Sequence, residues 1–275
     1  MADRAMVDRA LWGMRAYGVL AWMWIRVSMT YRASFVMLTL GQFLITGHDF
    51  LAITVMFATV DALGGFSLAE VAFLYGGAGL CLGLADLILG NIERLGKIRL
   101  GTFDAMMIRP VPLFAQMASD AFALRRLGRI TQATVVLVWS LVVLDVDWTL
   151  GRALTVPYLV VFGTAIFVSL FTLGAAFQFW TTDGSEAANA FTYGGNTLTQ
   201  YPLAIYPVEV VRAVTFIVPL AFVNWYPALY VLGVDDPFDL PAAFQVASPV
   251  VAALFVAVAA LTWRTALRHY RSTGS

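Results

Sequence analysis

Four ionisable side chains lie inside or at the rim of apolar stretches. They are His48 and Asp49 in Thr46-Gly47-His48-Asp49, Asp86 in Leu84-Ala85-Asp86-Leu87, and Arg212 at the head of Val210–Leu232. In an apolar phase such groups cost several kcal/mol unless they meet a partner or water. Each therefore marks a buried pair or a polar passage. For His48-Asp49 two readings stand: a helix break or polar lining deep in the apolar phase, or a helix end that leaves both in an interfacial loop. Adjacent side chains on a helix point about 100° apart, so the two need not pair. A histidine and a carboxylate are also a common acid–base couple, which makes a membrane-embedded enzyme or lipid-modifying protein using His48 and Asp49 the rival from another class. Asp86 and Arg212 are expected at similar depth, where a structural ion pair is favoured over a proton relay.

Other catalytic chemistry is missing from the sequence. There is no GxxxxGK[ST] phosphate loop: Lys97 follows Gly96, but Ile98 occupies the hydroxyl position. No HExxH zinc helix occurs, and Gly184-Ser185 lacks the glycines of a nucleophile elbow. Cys81 is the only cysteine. No catalytic residue and no metal site are assigned.

The elements that hold these residues follow from composition. Of 275 residues, 60% are hydrophobic and 12% charged, and mean hydropathy is +0.80. Soluble domains carry about 25% charged residues, so this chain cannot cover a water-facing surface. It is expected to be an all-α integral membrane protein. Zero formal net charge argues against a nucleic-acid partner. Runs of about 20 apolar residues cross a bilayer as helix, and six are expected: 33–60 (long and interrupted), 68–90, 130–144 with its start a few residues earlier, 154–180, 210–232 and 247–263. Arginines and Lys97 collect before the first run, between the second and third, at Arg212 and after the sixth; Arg152 alone falls on the other side, with six aspartates. The positive-inside rule then puts both termini in the cytoplasm.

No cleavable signal is evident ahead of the first run. Arg4, Asp8, Arg15 and Arg26 share one helical face, and Trp12, Trp22 and Trp24 add aromatic bulk. Residues 10–30 are therefore expected to form an amphipathic interfacial helix, the alternative being a short extra span. The resulting organisation is a tail and interfacial helix at 1–32, a six-span domain at 33–264 with a cytoplasmic loop at 91–129, and a tail at 265–275. Gly79, Gly83 and Gly90 share a face suited to close helix packing.

The loop at 91–129 is the most distinctive stretch. In GTFDAMMIRPVPLFAQ (101–116), Asp104 can begin a short helix that Pro110 and Pro112 end. That helix is expected to expose Phe103, Met106 and Met107, rimmed by arginines, either to a soluble partner or against lipid headgroups. A second cytoplasmic connection, 181–207, ends in QYPLAIYP, where Tyr201-Pro202 implies a kinked entrance to the fifth span. Pro219 and Pro227 predict that this span is broken near its outer end, as a gate, a lateral exit or a plain kink.

Three motifs at their relative positions, RLGTFDAMMIRPVP (99–112), QYPLAIYP (200–207) and IVPLAFVNWYPALYVLG (217–233), resemble a six-span family of ABC type-2 exporter permeases. The resemblance implies a coupling helix within Gly101–Pro110 that docks on ATPase subunits, with Gly101, Phe103, Asp104, Arg109 and Pro110 at the motif positions and Met107 on the same element. It implies a dimer of separate ABC ATPase subunits carrying ATP and Mg, no cofactor in this chain, and a second permease, similar or identical. It further implies a multi-pass protein of the bacterial cytoplasmic membrane that exports hydrophobic or amphipathic, drug-like or lipid-like substrates. A passive channel or assembly scaffold is the third reading.

Overall fold

The computed structural model describes residues 2–89, 92, 102–120, 122–181 and 189–270, with backbone alone for 2–10 and Thr102. Helix α1 (Ala2–Thr30) turns at Tyr31 into α2 (Arg32–Phe57), followed by α3 (Leu68–Leu89), the short α4 (Thr102–Met107) and α5 (Leu113–Ala118). A 3-10 turn at Leu124–Arg126 leads into α6 (Leu127–Val143), then α7 (Leu150–Phe177). A π turn, Ala190–Gly194, opens into α8 (Gly195–Thr199); α9 (Val208–Arg212) continues as a second π turn to Ile217; α10 (Trp225–Leu232) and α11 (Ser248–His269) complete the chain. Five stretches, α2, α3, Leu124–Val143, α7 and α11, are long and apolar enough to cross a membrane. No strand occurs among the described residues. This is an all-α integral membrane protein.

Two faces are distinguishable. Arg109, Arg125, Arg264 and Arg268 lie at the basic one; Asp61, Asp145, Asp147, Asp235, Asp236 and Asp239 lie at the acidic one. At the acidic face, Glu70 accepts hydrogen bonds from the Ser67 amide (2.7 Å) and hydroxyl (2.8 Å), which fix the start of α3. Thr149 caps α7 by accepting from the Arg152 amide at 3.3 Å.

Helix α3 is the core, with 78% of its apolar window buried against 11% for α2. Glycines make that burial possible. A Cβ on Gly76 would lie 2.7 Å from the Leu137 amide nitrogen, one on Gly79 would lie 3.2 Å from Ala133 Cβ, and one on Gly163 would lie 2.6 Å from Cys81 Sγ. Bare backbone lets α3, α6 and α7 approach where lipid supplies no hydrophobic drive. Gly90, grouped with this face by spacing, is outside the described residues.

Three expectations are corrected. The first span is one unbroken helix, through Gly47-His48-Asp49. A glycine costs a helix only about 1 kcal/mol, whereas unsatisfied backbone in hydrocarbon costs several kcal/mol per group, so the helix persists. The third span begins at Leu124, ahead of Ile130 as expected but far enough to draw Arg126 and Arg129 out of the expected loop at 91–129 and into the bundle. Helix α11 likewise continues to His269, past the expected boundary at Arg264.

The largest correction concerns Val210–Leu232, which does not cross. Gly64, in the acidic-face loop after α2, would place a Cβ 2.8 Å from Ile205 Cγ2, so the QYPLAIYP segment lies at the acidic face and not at a basic-face entrance. At the far end, a Cβ on Gly151 at the start of α7 would lie 2.7 Å from Tyr230 Oη. Between these ends the chain bends by 79°. Beside the bend, a Cβ on Gly163, halfway along α7, would lie 2.8 Å from the Val223 carbonyl oxygen. The segment thus dips to mid-depth and returns. Residues 189–200 form the described part of the fifth crossing, from Tyr193 beside Asp86 near the basic end of α3 to Thr199 beside Leu74 nearer its acidic end.

Pro219 sets the bend: it holds Val218 extended (φ −118°, ψ 98°) and offers no amide. Irregular backbone at this depth is tolerated because it is buried in protein. Asn224, fully buried, donates to the Leu74 carbonyl (2.7 Å) and the Thr199 carbonyl (3.2 Å). Pro227 breaks nothing, since it sits in the first turn of α10, where a missing amide is harmless. Arg212 therefore belongs to the acidic half with Arg152.

Candidate functional site

Asp86 does not meet Arg212. Its carboxylate pairs with Arg126 (Nε to Oδ1, 3.1 Å), and the same oxygen accepts from Tyr193 Oη at 3.1 Å. Both charges are buried, so the expected structural pair exists with a different cation. It joins α3, the third span and the fifth crossing near the basic face.

His48 and Asp49 diverge. His48 lies in an apolar groove between α2 and α6, with Phe43, Val135 and Trp139. Asp49 lies at a polar cavity with Tyr75, Gln132 and Asn196.

At the basic face, α4 is clamped from behind. Phe103 is fully buried, with ring centroids 5.2 Å from Phe179 and 4.7 Å from Tyr270. Phe179 in turn meets Trp263 at 5.7 Å, and Phe114 of α5 meets Trp263 at 5.3 Å. Asp104 accepts from Tyr270 Oη at 2.9 Å. Burial and that bond raise the Tyr270 phenol above its ordinary pKa, so it stays protonated and donating at neutral pH. Gln116 closes the other end, donating to the Met106 (3.0 Å) and Val111 (2.8 Å) carbonyls.

The expectation that Phe103 and Met106 are exposed is therefore corrected. Phe103 faces inward because the ends of α7 and α11 offer it an aromatic socket, and Met106 is 6% exposed. What α4 presents is its tip: Met107 (47% exposed), Ile108 (85%), Arg109 and Pro110. Gly101 lies outside the described residues, as does the arginine-rich segment 93–100. A short apolar tip with one arginine is thus held against the ends of two spans.

The family model described as ABC-2 family transporter protein matches residues 43–274. The chain belongs to the ABC-2 transporter family. No curated protein and no solved structure matches it. The match begins inside α2, so α1 lies outside it, and it covers α4, the bent segment and α11. Members of this family are membrane subunits of ABC transporters and generally work with an ATPase partner.

Sequence reasoning missed Gln116, Tyr193, Tyr270 and Arg129. For Arg129 a signal existed: Arg126, Arg129 and Gln132 recur at three-residue spacing, one face of a helix. Counting it with the cytoplasmic loop at 91–129 hid it.

Proposed function

We propose that this chain is the permease half of an ATP-driven exporter, moving a hydrophobic or amphipathic substrate outward from the cytoplasm. The observation that carries this reading is the α4 tip, exposed at Met107–Pro110 and tied through Phe103 and Asp104 to the ends of α7 and α11. The basic face is cytoplasmic, and α1 lies along that side with Trp12, Trp22 and Met23 in the headgroup zone. A dimer of ATPase subunits holds ATP and Mg and seats one tip per permease, and a second permease covers the open surface of α2. Nucleotide state must change the contact at the tip for hydrolysis to bias the bundle. The Val208–Leu232 hairpin, hinged at Pro219 and entered through Tyr201-Pro202, forms the outer gate. An enzyme at His48 and Asp49 is not favoured, since those side chains face different cavities.

The test is copurification. A tagged chain should bring down an ATPase with a phosphate loop, and Asp104→Ala or Arg109→Ala should abolish substrate-stimulated hydrolysis while membrane insertion survives. Full stimulated hydrolysis in both variants would remove α4 as the docking element.

A further inference from the structure

The cavity at Asp49 holds about 180 Å³, enclosed by α2, α3, α6 and the fifth crossing. That is room for about six waters at ~30 Å³ each, or one compact head group. Two of its lining residues, Arg129 and Asn196, each carry a buried polar atom without a hydrogen-bond partner among the described residues, Nη1 and Oδ1. Asn196 is 8% exposed. The Arg129 guanidinium carbon lies 5.8 Å from the Tyr193 ring centroid; a ring face engages the cation but accepts none of the in-plane N–H bonds. Groups of this kind inside a membrane carry a large penalty unless water or a ligand meets them.

The charges are spread along the cavity. Gly128 packs on the backbone at Thr39 and Phe43, while a Cβ on Gly47 would lie 3.9 Å from Gln132 Cγ. Arg129 therefore lies deeper toward the basic face, and Asp49 toward the acidic one, at the open rim. A single ion satisfies only one of them. Gln132 also lines the groove of about 580 Å³ between α2 and α6, whose other walls include Phe43, Leu51, Val135 and Trp139. A polar chamber and an apolar trough thus share one wall residue.

We propose that this pair of cavities binds an amphipathic zwitterion, with its anionic oxygen on Arg129, its ammonium on Asp49 and its apolar tail along the α2–α6 groove. The inference rests on the permease reading for its role, naming the substrate class, but binding is measurable without the ATPase.

The test uses purified chain in maltoside detergent, whose head is uncharged, titrated by tryptophan fluorescence with three twelve-carbon probes: lauroyl lysophosphatidylethanolamine, dodecyl phosphate and dodecylamine. The zwitterion should bind at least about tenfold more tightly than either probe bearing one sign of charge, the margin of one charge-assisted contact. Asp49→Asn should shift preference to dodecyl phosphate, and Arg129→Gln to dodecylamine. A merely structural role for either residue would not reorder the probes. Equal affinities in the natural protein would overturn the proposal, showing that the two charges serve only each other, and that ranking decides even where a variant fails to fold. A flat ranking from a chain that still copurifies an ATPase sinks only this site. The expected ranking from a chain that recruits none sinks only the export reading.

Discussion

Phe103→Ala will leave the ATPase bound and the transporter uncoupled. The phenyl ring is fully buried between Phe179 and Tyr270, and truncating such a ring costs about 3–5 kcal/mol. A six-residue helix has no stability of its own to offset that loss. Without the ring, α4 keeps its exposed Met107, Ile108 and Arg109 but no longer grips the ends of α7 and α11. Pull-down of the ATPase should persist, and substrate-stimulated hydrolysis should fall at least about tenfold, the equivalent of some 1.4 kcal/mol in the coupled step. Tyr270→Phe should do less, because it removes the Asp104 hydrogen bond and keeps the ring. Natural coupling in Phe103→Ala would show that motion reaches the bundle by another route.

Asp86→Ala will destabilise the bundle by about 3–5 kcal/mol, because it removes one partner of a buried ion pair. The pair spans 3.1 Å with both side chains buried, and Tyr193 completes the carboxylate's bonding. Removing both charges in Asp86→Ala/Arg126→Leu should recover most of the loss, since a buried pair contributes little net stability once neither charge is left alone. Tyr193→Phe should cost about 1.5 kcal/mol or a little more. Thermal unfolding in detergent gives the cycle: Asp86 and Arg126 should be strongly non-additive, while Asp86 and Arg212 should add. Non-additivity with Arg212 instead would place that arginine on the other side of the bilayer and undo the re-entrant hairpin.

The spans were legible in the sequence wherever one physical rule acts alone. Long apolar runs bounded by charge gave α2, α3, α7 and α11 to within a few residues. Prolines marked the bend at Pro219. Path through the membrane was not legible at residues 189–232, because an apolar run with a proline in its middle has the same composition whether it crosses or dips and returns. Only neighbours such as Gly64, Gly151 and Gly163 tell the two apart. The same ambiguity hid the partner of Asp86. Depth inferred from a wrong crossing favoured Arg212, whereas Arg126 is counted by its charge with the cytoplasmic loop. At α4 the motif located the element, but which apolar residue faces water depended on a socket made by Phe179 and Tyr270, far away in sequence.

The central claim is that an ATPase sits on the α4 tip, and site-specific photocrosslinking in native membranes tests it most directly. With the photoreactive residue in place of Ile108, irradiation should yield an adduct with an ATPase carrying a phosphate loop, weakened by adding Met107→Asp; the same probe at Leu150, 77% exposed at the acidic face, should yield none. Adducts with lipid alone at Ile108 would contradict the account.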